Sequence, residues 1–308
     1  MRLIPLALTA LLLAPCRAED GAKTMLERAK STAPVAPASA SPAGSAPARR
    51  YSFPADKVEI FNSQNPTKPP YCAVYRDGNK SVVFLAAEHA NKEQQDSFES
   101  VRHVLGAKPQ LVIIEMTDAQ AHDKSFVDQY AGEAEPHFTA QLADALKIPV
   151  QGGEFVPADE LAAATRGEFS VKDYEGFYIV RTLLNDRRGE KIATIVDEFK
   201  QEFGVKDPAE LFSEPEFRDW YREKNGRDFS REQLEKSDTW PAKDATLFTR
   251  RVAAASCQAR DARLGGLIAD ALGKYDRVAV VYGAGHQSEL SRALEAMLGK
   301  PVIGPCAP

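Results

Sequence analysis

The stretch Arg277-Val-Ala-Val-Val-Tyr-Gly-Ala-Gly-His286 decides the fold of this chain. It opens with a short apolar run, rich in valine, of the kind that makes a buried strand. The two glycines permit a tight turn, and a helical pattern then places Leu290, Leu294 and Leu298 on one face. The stretch therefore predicts a strand, a tight turn that carries His286, and a helix.

Three more apolar runs lead into residues that carry chemistry. Residues 81–85 precede His89, residues 111–114 precede Glu115, and residues 148–150 precede Glu154. In an open α/β sheet, ligands bind in the crevice at the carboxyl ends of the parallel strands. We therefore expect two histidines and at least two glutamates to converge on one site. These are the residue types of a metal site or an acid–base site.

The spacing of the runs predicts the fold class. Helical patterns separate most of them, which indicates an α/β fold with a mainly parallel central sheet, right-handed crossovers and flanking helices. Asp77-Gly78 lies between two apolar runs and predicts an N-terminal β-hairpin. Residues 117–137 are expected to form a long loop whose His122 and His137 could reach the site. Residues 173–245, helical and rich in aromatic side chains, are expected to form a helical cap; an ordinary helical layer is the alternative.

The N-terminal part of the sequence is typical of an exported protein. Residues 1–18 have the charge, apolar run and small residues of a signal peptide cleaved after Ala18. Residues 19–50 are rich in Ala, Pro and Ser and are expected to be a disordered tether, which leaves residues 51–308 as one α/β domain. We expect a periplasmic or secreted protein. The alternative is a lipoprotein anchored to the membrane through Cys16.

Composition excludes several function classes. The net charge is −5 and both signs are interspersed, so the sequence lacks the clustered positive charge that is typical of nucleic-acid-binding proteins. The sequence has no P-loop, no Gly-x-Ser-x-Gly elbow and no dinucleotide fingerprint. Beyond Cys16, three cysteines allow one disulfide and one free thiol in an oxidising compartment. Spacing does not assign the pair, and we expect Cys257 to pair with Cys306.

Each candidate site residue has a functional and a structural interpretation. A carboxylate after a buried strand, such as Glu115 or Glu154, is costly to bury unless it is paired or binds a metal. It is therefore a metal ligand, a general base, or half of a structural ion pair. His286 and His89 either face the crevice or cap a turn and a helix start. Arg260, in the long helix predicted before the last strand, suits pairing with a carboxylate of the site or of a substrate, or a surface ion-pair network.

Together these segments resemble the TraB/GumN/Tiki-like family, whose wider superfamily includes erythromycin esterase-like and ChaN-like haem-uptake proteins. The family signature has two Gly-x-x-His motifs, a glutamate after the second core strand, and Arg-Asp or Arg-Asn in a late helix. Gly283 to His286 and Arg260-Asp261 match it, whereas the first histidine motif has Ala86 in place of glycine. The resemblance covers most of residues 71–303 and is faint over about 190–245.

The resemblance implies a metal-dependent protease with His89, His286 and Glu115 as metal or catalytic residues. We therefore expect a metal-dependent hydrolase that acts on a peptide or another small molecule. His89 and His286 would bind a divalent metal, with Glu115 as third ligand or base. Glu154 would be the partner of Glu115 or a further ligand, and Arg260 would orient a carboxylate or stabilise negative charge. The alternatives are a haem- or small-ligand-binding protein and a non-catalytic family member, to which Ala86 lends weight.

Overall fold

The computed structural model describes residues 51–60, 67–88, 96–117, 134–185 and 189–306. The predicted signal peptide and tether, Cys16, His89 and His122 lie outside these residues, and the statements about them stay predictions. No helix in the five described ranges is long and apolar enough to cross a membrane.

One six-stranded sheet forms the centre of the described structure. The strands are β1 (Tyr71–Asp77), β2 (Lys80–Ala87), β3 (Leu111–Ile114), β4 (Val150–Gly152), β5 (Arg277–Gly283) and β6 (Val302–Gly304). Their order is β4-β3-β5-β2-β1-β6. Strands β2, β5, β3 and β4 run parallel, whereas β1 is antiparallel to both β2 and β6. The predicted α/β class, the mainly parallel sheet and the N-terminal hairpin are confirmed.

The register of the sheet brings the carboxyl ends of the four parallel strands to one edge. Ala87 at the end of β2 lies opposite Gly283 at the end of β5. Ile114 at the end of β3 lies opposite Val281 on one side and Gly152 on the other. The residues that follow β3, β4 and β5 therefore leave the sheet side by side, as the sequence predicts.

Eight α-helices accompany the strands in the described residues. They are α1 (Asp96–Gly106), α2 (Ala134–Ala145), α3 (Pro157–Ala164), α4 (Val171–Leu184), α5 (Ile192–Phe203), α6 (Glu214–Asn225), α7 (Phe248–Leu272) and α8 (Ala284–Leu298). The prediction of a loop up to residue 137 is wrong at its end, because α2 already begins at Ala134. Pro136 is the third residue of this helix, a position in the first turn where proline is tolerated.

Alternate residues of the strands face two separate cores. In β5, Val278 and Val280 pack with α7 and α8 on one face, whereas Ala279 and Val281 pack with α1 and α2 on the other. This period of two explains why the strands read as continuous apolar runs, since both faces are covered by helices. The arrangement holds β5 rigidly in the middle of the sheet.

The segment between α3 and α7 is helical, as predicted, and has an aromatic core of its own. Trp220 of α6 donates from its indole N–H to Asp173 at the start of α4, at 2.9 Å. Its ring lies against Gly176, where a Cβ would be 2.3 Å from the ring. Helices α3 and α4 in turn pack against α7, the long helix that carries Arg260.

The disulfide joins Cys72 to Cys306, and Cys257 is the free thiol. The expected pairing of Cys257 with Cys306 is therefore wrong. The physical reason is the sheet: β6 pairs with β1 so that Gly304 lies opposite Cys72, which brings the Cα atoms of Cys72 and Cys306 to 4.9 Å. One disulfide and one free thiol were the expected numbers for these three cysteines.

Candidate metal and acid–base site

The loops after β3 and β4 are fastened to each other beyond the sheet. The backbone N–H groups of Gly153 and Glu154 donate to the carbonyl oxygens of Ile114 and Met116, at 2.8 and 3.1 Å. These bonds continue the parallel pairing past the ends of the strands. They hold the side chains of Glu115 and Glu154 at one place on the edge of the sheet.

Arg260 of α7 links the two glutamates. Its Nε and Nη2 atoms donate to the two carboxylate oxygens of Glu154 at 2.7 and 2.8 Å, and Nη2 also donates to Glu115 Oε1 at 3.2 Å. All three side chains retain only 14–17% exposure. Burial favours the neutral guanidinium, but the ion pairs with Glu154 and Glu115 outweigh it and raise the pKa of Arg260 further above its ordinary value. Arg260 is therefore a permanent cation in the site.

His286 lies in the first turn of α8, between two carboxylates. Its Nδ1 is 2.6 Å from Asp261 Oδ1, and its Nε2 is 3.5 Å from Glu115 Oε1. Burial favours the neutral ring, but the hydrogen bonds to Asp261 and Glu115 outweigh it and raise the pKa of His286 to about 10. The ring is accordingly an imidazolium at neutral pH. The second carboxylate oxygen of Glu115 accepts the backbone N–H of Gly283 at 2.8 Å, so this glutamate touches β5, α7 and α8 at once.

Two groups of side chains in the described residues have the composition of a metal site. The ligand atoms of Glu115, Glu154 and His286 lie within 4.8 Å of one another, and the same holds for Asp261, His286 and Glu289. Carboxylate and imidazole donors suit zinc and other divalent transition metals. In the arrangement described, Arg260 and the His286 proton neutralise the first group. A metal would therefore have to displace that proton and loosen Arg260.

A second set of polar contacts supports α7 and the loop of Glu154. Glu160 Oε1 accepts hydrogen bonds from the hydroxyls of Tyr174 and Ser256, both at 2.7 Å. Arg263, one turn beyond Arg260, donates from Nε to the carbonyl oxygen of Gly153 at 3.0 Å. These bonds tie the helix that carries Arg260 and Asp261 to both neighbouring segments. They restrict the rotation and sliding of that helix relative to the site.

Glu135 of α2 adds a further carboxyl group near Glu115. Its side chain is buried, with 1% exposure. Burial, together with the negative charge of Glu115, raises the pKa of Glu135 to about 8. This carboxyl group is therefore mostly protonated at neutral pH. Sequence reasoning missed it because Glu135 fell within the predicted loop.

Tyr282, the last residue but one of β5, was not predicted to be functional either. Its side chain is 1% exposed, and its ring lies edge-on to the His286 ring, with centroids 5.3 Å apart. Burial, then the negative charges of Glu154 and Glu115, raise the pKa of its hydroxyl, which stays protonated. The Glu154 carboxylate lies close to this hydroxyl and is a hydrogen-bond acceptor for it, at a looser geometry than the other hydrogen bonds of the site.

The structure brings Glu115, Glu154, Arg260 and His286 together, as the sequence predicts. His89, the other predicted metal ligand, lies outside the described residues. Of the remaining histidines, His137 is buried on α2 and His103 is half-buried on α1.

The role expected for the glycines around His286 is corrected. Neither Gly283 nor Gly285 has a positive φ, and a Cβ at Gly285 would meet nothing within 4 Å. The physical reason is that α8 begins at Ala284, directly after β5, so no left-handed residue is needed between strand and helix. Next to the site, sterically required glycines occur instead in Gln151-Gly-Gly-Glu154. A Cβ at Gly152 would lie 2.5 Å from the carbonyl oxygen of Thr117.

Comparison of the chain with models of known protein families, with curated proteins and with solved structures gives no significant match.

Proposed function

We propose that this protein is a metal-dependent hydrolase that acts on a peptide. The observation that carries the proposal is the meeting of Glu115, Glu154 and His286 at the carboxyl ends of β3, β4 and β5, with ligand atoms within 4.8 Å of one another. The resemblance of the same residues to the TraB/GumN/Tiki-like family supports it. The signal-like N-terminus supports a periplasmic or secreted location, with lipid anchoring through Cys16 as the alternative.

Each side chain of the site would have a separate role in such a reaction. Glu115 and His286 would hold a divalent ion, with His89 as a further ligand, and the ion would supply Lewis acidity and activate water. Glu154, already in contact with Arg260, would be a further ligand or the base. Arg260, loosened from Glu115 by the ion, would stay beside Glu154, where its guanidinium would stabilise developing negative charge. Asp261, bonded to Nδ1 of His286, would orient the ring, as carboxylates commonly do for metal-binding histidines.

Calorimetric titration of the full chain with Zn²⁺ and Mn²⁺ tests the proposal. We expect wild type to bind one ion and His286→Ala to bind at least 100-fold more weakly, because a ligand and the partner of Glu115 are both removed. His103→Ala is the matched control, since His103 is half-buried on α1 and is no part of the described site. Retained binding in His286→Ala, or no binding by wild type, would refute the metal site. Cleavage of labelled casein that stops with a chelator would establish the activity.

A metal-independent acid–base hydrolase is the second candidate. The contact of 2.6 Å between His286 Nδ1 and Asp261 Oδ1 favours it, because Asp261 fixes the ring while Nε2, 3.5 Å from Glu115 Oε1, can exchange a proton with Glu115 or with a substrate that displaces it. Hydrolysis that survives a chelator but is lost in His286→Ala would select this candidate. A haem-binding protein would instead show a Soret absorption band, and a non-catalytic protein would neither bind metal nor cleave substrate.

A further inference from the structure

The carboxylate of Asp261 is a buried group of which the described contacts use only one oxygen. Asp261 is 0% exposed, and its Oδ1 atom lies 2.6 Å from Nδ1 of His286. Its Oδ2 atom has no hydrogen-bond partner among the described residues. Proteins seldom leave a buried acceptor without a partner, because the loss is larger still when the group is charged. The second oxygen of Asp261 is therefore available to a ligand.

Glu289 brings a second carboxylate close to Asp261 and His286. It lies one turn beyond His286 on α8 and is buried, with 6% exposure. Each of the three residues offers a ligand atom within 4.8 Å of the other two. Two carboxylates this close in a buried place repel each other, and a cation between them removes the repulsion. Since Asp261 faces Nδ1 of the ring and Glu115 faces Nε2, this group is distinct from that of Glu115 and Glu154.

Cys257 adds a sulfur atom beside these carboxylates. It precedes Asp261 by four residues on α7, and residues at this spacing lie on the same face of a helix. Burial and then the negative charge of Glu289 raise the pKa of the Cys257 thiol to about 12, which is consistent with a thiol that faces Glu289. Cys257 keeps part of its surface exposed, and the His286 side chain keeps 12%, so an ion from solvent can reach this side of the ring.

We propose that Asp261, Glu289, Cys257 and Nδ1 of His286 form a second metal position, which takes a soft, thiophilic divalent ion. These are four donors, the number that a tetrahedral ion needs, and a thiolate selects softer metals than carboxylates do. The ion would replace the Nδ1 proton and the thiol proton, both of which pass to solvent. Ligands at about 2.0–2.3 Å from such an ion lie about 3 Å apart, so the present 2.6 Å between Asp261 and His286 needs to lengthen only slightly.

This inference goes beyond the proposed function and does not need an ion at Glu115 and Glu154. The two positions share the ring of His286, and a ring that bound an ion on each nitrogen would have to lose both of its protons. We therefore expect the chain to hold one ion at a time. A thiophilic ion occupies the position with Cys257, whereas Mn²⁺, which suits carboxylate ligands, occupies the position with Glu115 and Glu154.

Titration of the full chain with Cd²⁺ and, separately, with Mn²⁺ tests the inference. Calorimetry measures both affinities, and ultraviolet absorption detects a bond between Cd²⁺ and a thiolate. The variants are Cys257→Ser and Glu289→Gln, with Glu295→Gln, partly exposed further along α8, as the matched control. The Tm of each metal-free protein shows whether it is folded. Protection of Cys257 from alkylation by Cd²⁺, mapped by mass spectrometry in wild type, tests the ligand without any variant.

We expect Cd²⁺ to protect Cys257 and to give a thiolate band that Cys257→Ser lacks. Cys257→Ser and Glu289→Gln should bind Cd²⁺ at least tenfold more weakly but Mn²⁺ within threefold of wild type, and Glu295→Gln should match wild type for both ions. The second position is overturned by an unprotected Cys257, by an equal band in Cys257→Ser, or by equal weakening of Cd²⁺ and Mn²⁺ binding in the two variants. Cd²⁺ binding as expected, with no Mn²⁺ or Zn²⁺ bound by wild type, would overturn the proposed function and leave this position intact.

Discussion

Gly153 and Tyr282 are in such close contact that a single added carbon cannot be accommodated between them. A Cβ at position 153 would lie 1.9 Å from the hydroxyl oxygen of Tyr282 and 2.7 Å from its ring carbon Cζ. This contact joins the loop after β4 to the end of β5. It also fixes the position of Glu154 relative to the end of β5, because Glu154 directly follows Gly153 in the chain.

Gly153→Ala is therefore expected to destabilise the protein by about 1–3 kcal/mol, the usual cost of overpacking. The added methyl group should also move Glu154 away from Arg260 and weaken metal binding. Gly285→Ala is the control. Position 285 lies within α8, and a Cβ there would meet nothing within 4 Å, so this variant should be as stable as wild type or slightly more stable. Urea unfolding and Zn²⁺ titration measure both effects. Equal stability of the two variants would contradict the close contact.

The fold and part of the site could be predicted from local patterns. Apolar runs bounded by turns identify the strands, and the rule for strand ends brings Glu115, Glu154 and His286 together. Glu135 could not be found in this way, because its position depends on how α2 packs. Tyr282 counted only as a strand residue, since its burial beside Gly153 depends on the loop of another strand. The partner of Cys306 likewise depends on β6 pairing with β1, which no local pattern encodes.

Arg260→Gln is expected to destabilise the metal-free protein by about 2–4 kcal/mol. The change leaves two poorly exposed carboxylates, Glu115 and Glu154, without their shared cation. A divalent ion should restore much of that loss, so added Zn²⁺ should raise Tm more in this variant than in wild type. Arg251→Gln, on the same helix and paired with the exposed Glu168, should change stability by less than 1 kcal/mol. An equal Zn²⁺ effect on all three proteins would argue against a shared carboxylate site.

The affinity for a divalent metal is expected to increase with pH, by up to tenfold per pH unit, at pH values below about 10. His286 has a pKa of about 10 and must lose its proton to become a ligand, so each metal bound releases about one proton. Asp261→Asn removes the carboxylate at Nδ1 and so lowers the pKa of His286. The metal affinity of this variant should therefore stop rising at a lower pH than that of wild type. Asp270→Asn, exposed on the same helix, should behave as wild type. Titrations in buffers of different ionisation enthalpy count the protons, and equal release by all three proteins would contradict the assignment.

Loss of the disulfide between Cys72 and Cys306 is expected to destabilise the fold. The bond closes a loop with a sequence separation of 234 residues, for which chain entropy predicts up to about 5 kcal/mol. The double variant Cys72→Ser/Cys306→Ser should therefore have a clearly lower Tm, whereas Cys257→Ser should not. Mass spectrometry of a non-reduced digest checks the pairing directly. A linked peptide that contains Cys257 would show that the pairing is different.

Glu175→Gln is expected to remove a pH-dependent loss of stability from the helical segment. Glu175 on α4 is fully buried, and both of its carboxylate oxygens face the backbone N–H of Phe212 at 3.0–3.2 Å. Burial, only partly offset by that hydrogen bond and by Lys172, raises the pKa of Glu175 to about 7. Since the folded state holds the proton more tightly than the unfolded state, stability should fall as pH rises from about 4.5 to 7.

A shift of this size corresponds to about 3 kcal/mol, present at low pH and lost above pH 7. Glutamine keeps an acceptor for the Phe212 N–H and carries no charge, so the advantage of Glu175→Gln over wild type should grow by about 2–3 kcal/mol between pH 5 and pH 8. Any cost of the buried amide is independent of pH and cancels in that difference. Glu223→Gln, exposed on α6, should show no such growth in urea unfolding at the two pH values. An advantage that is equal at pH 5 and pH 8 would mean that Glu175 is already ionised in the folded protein at pH 5.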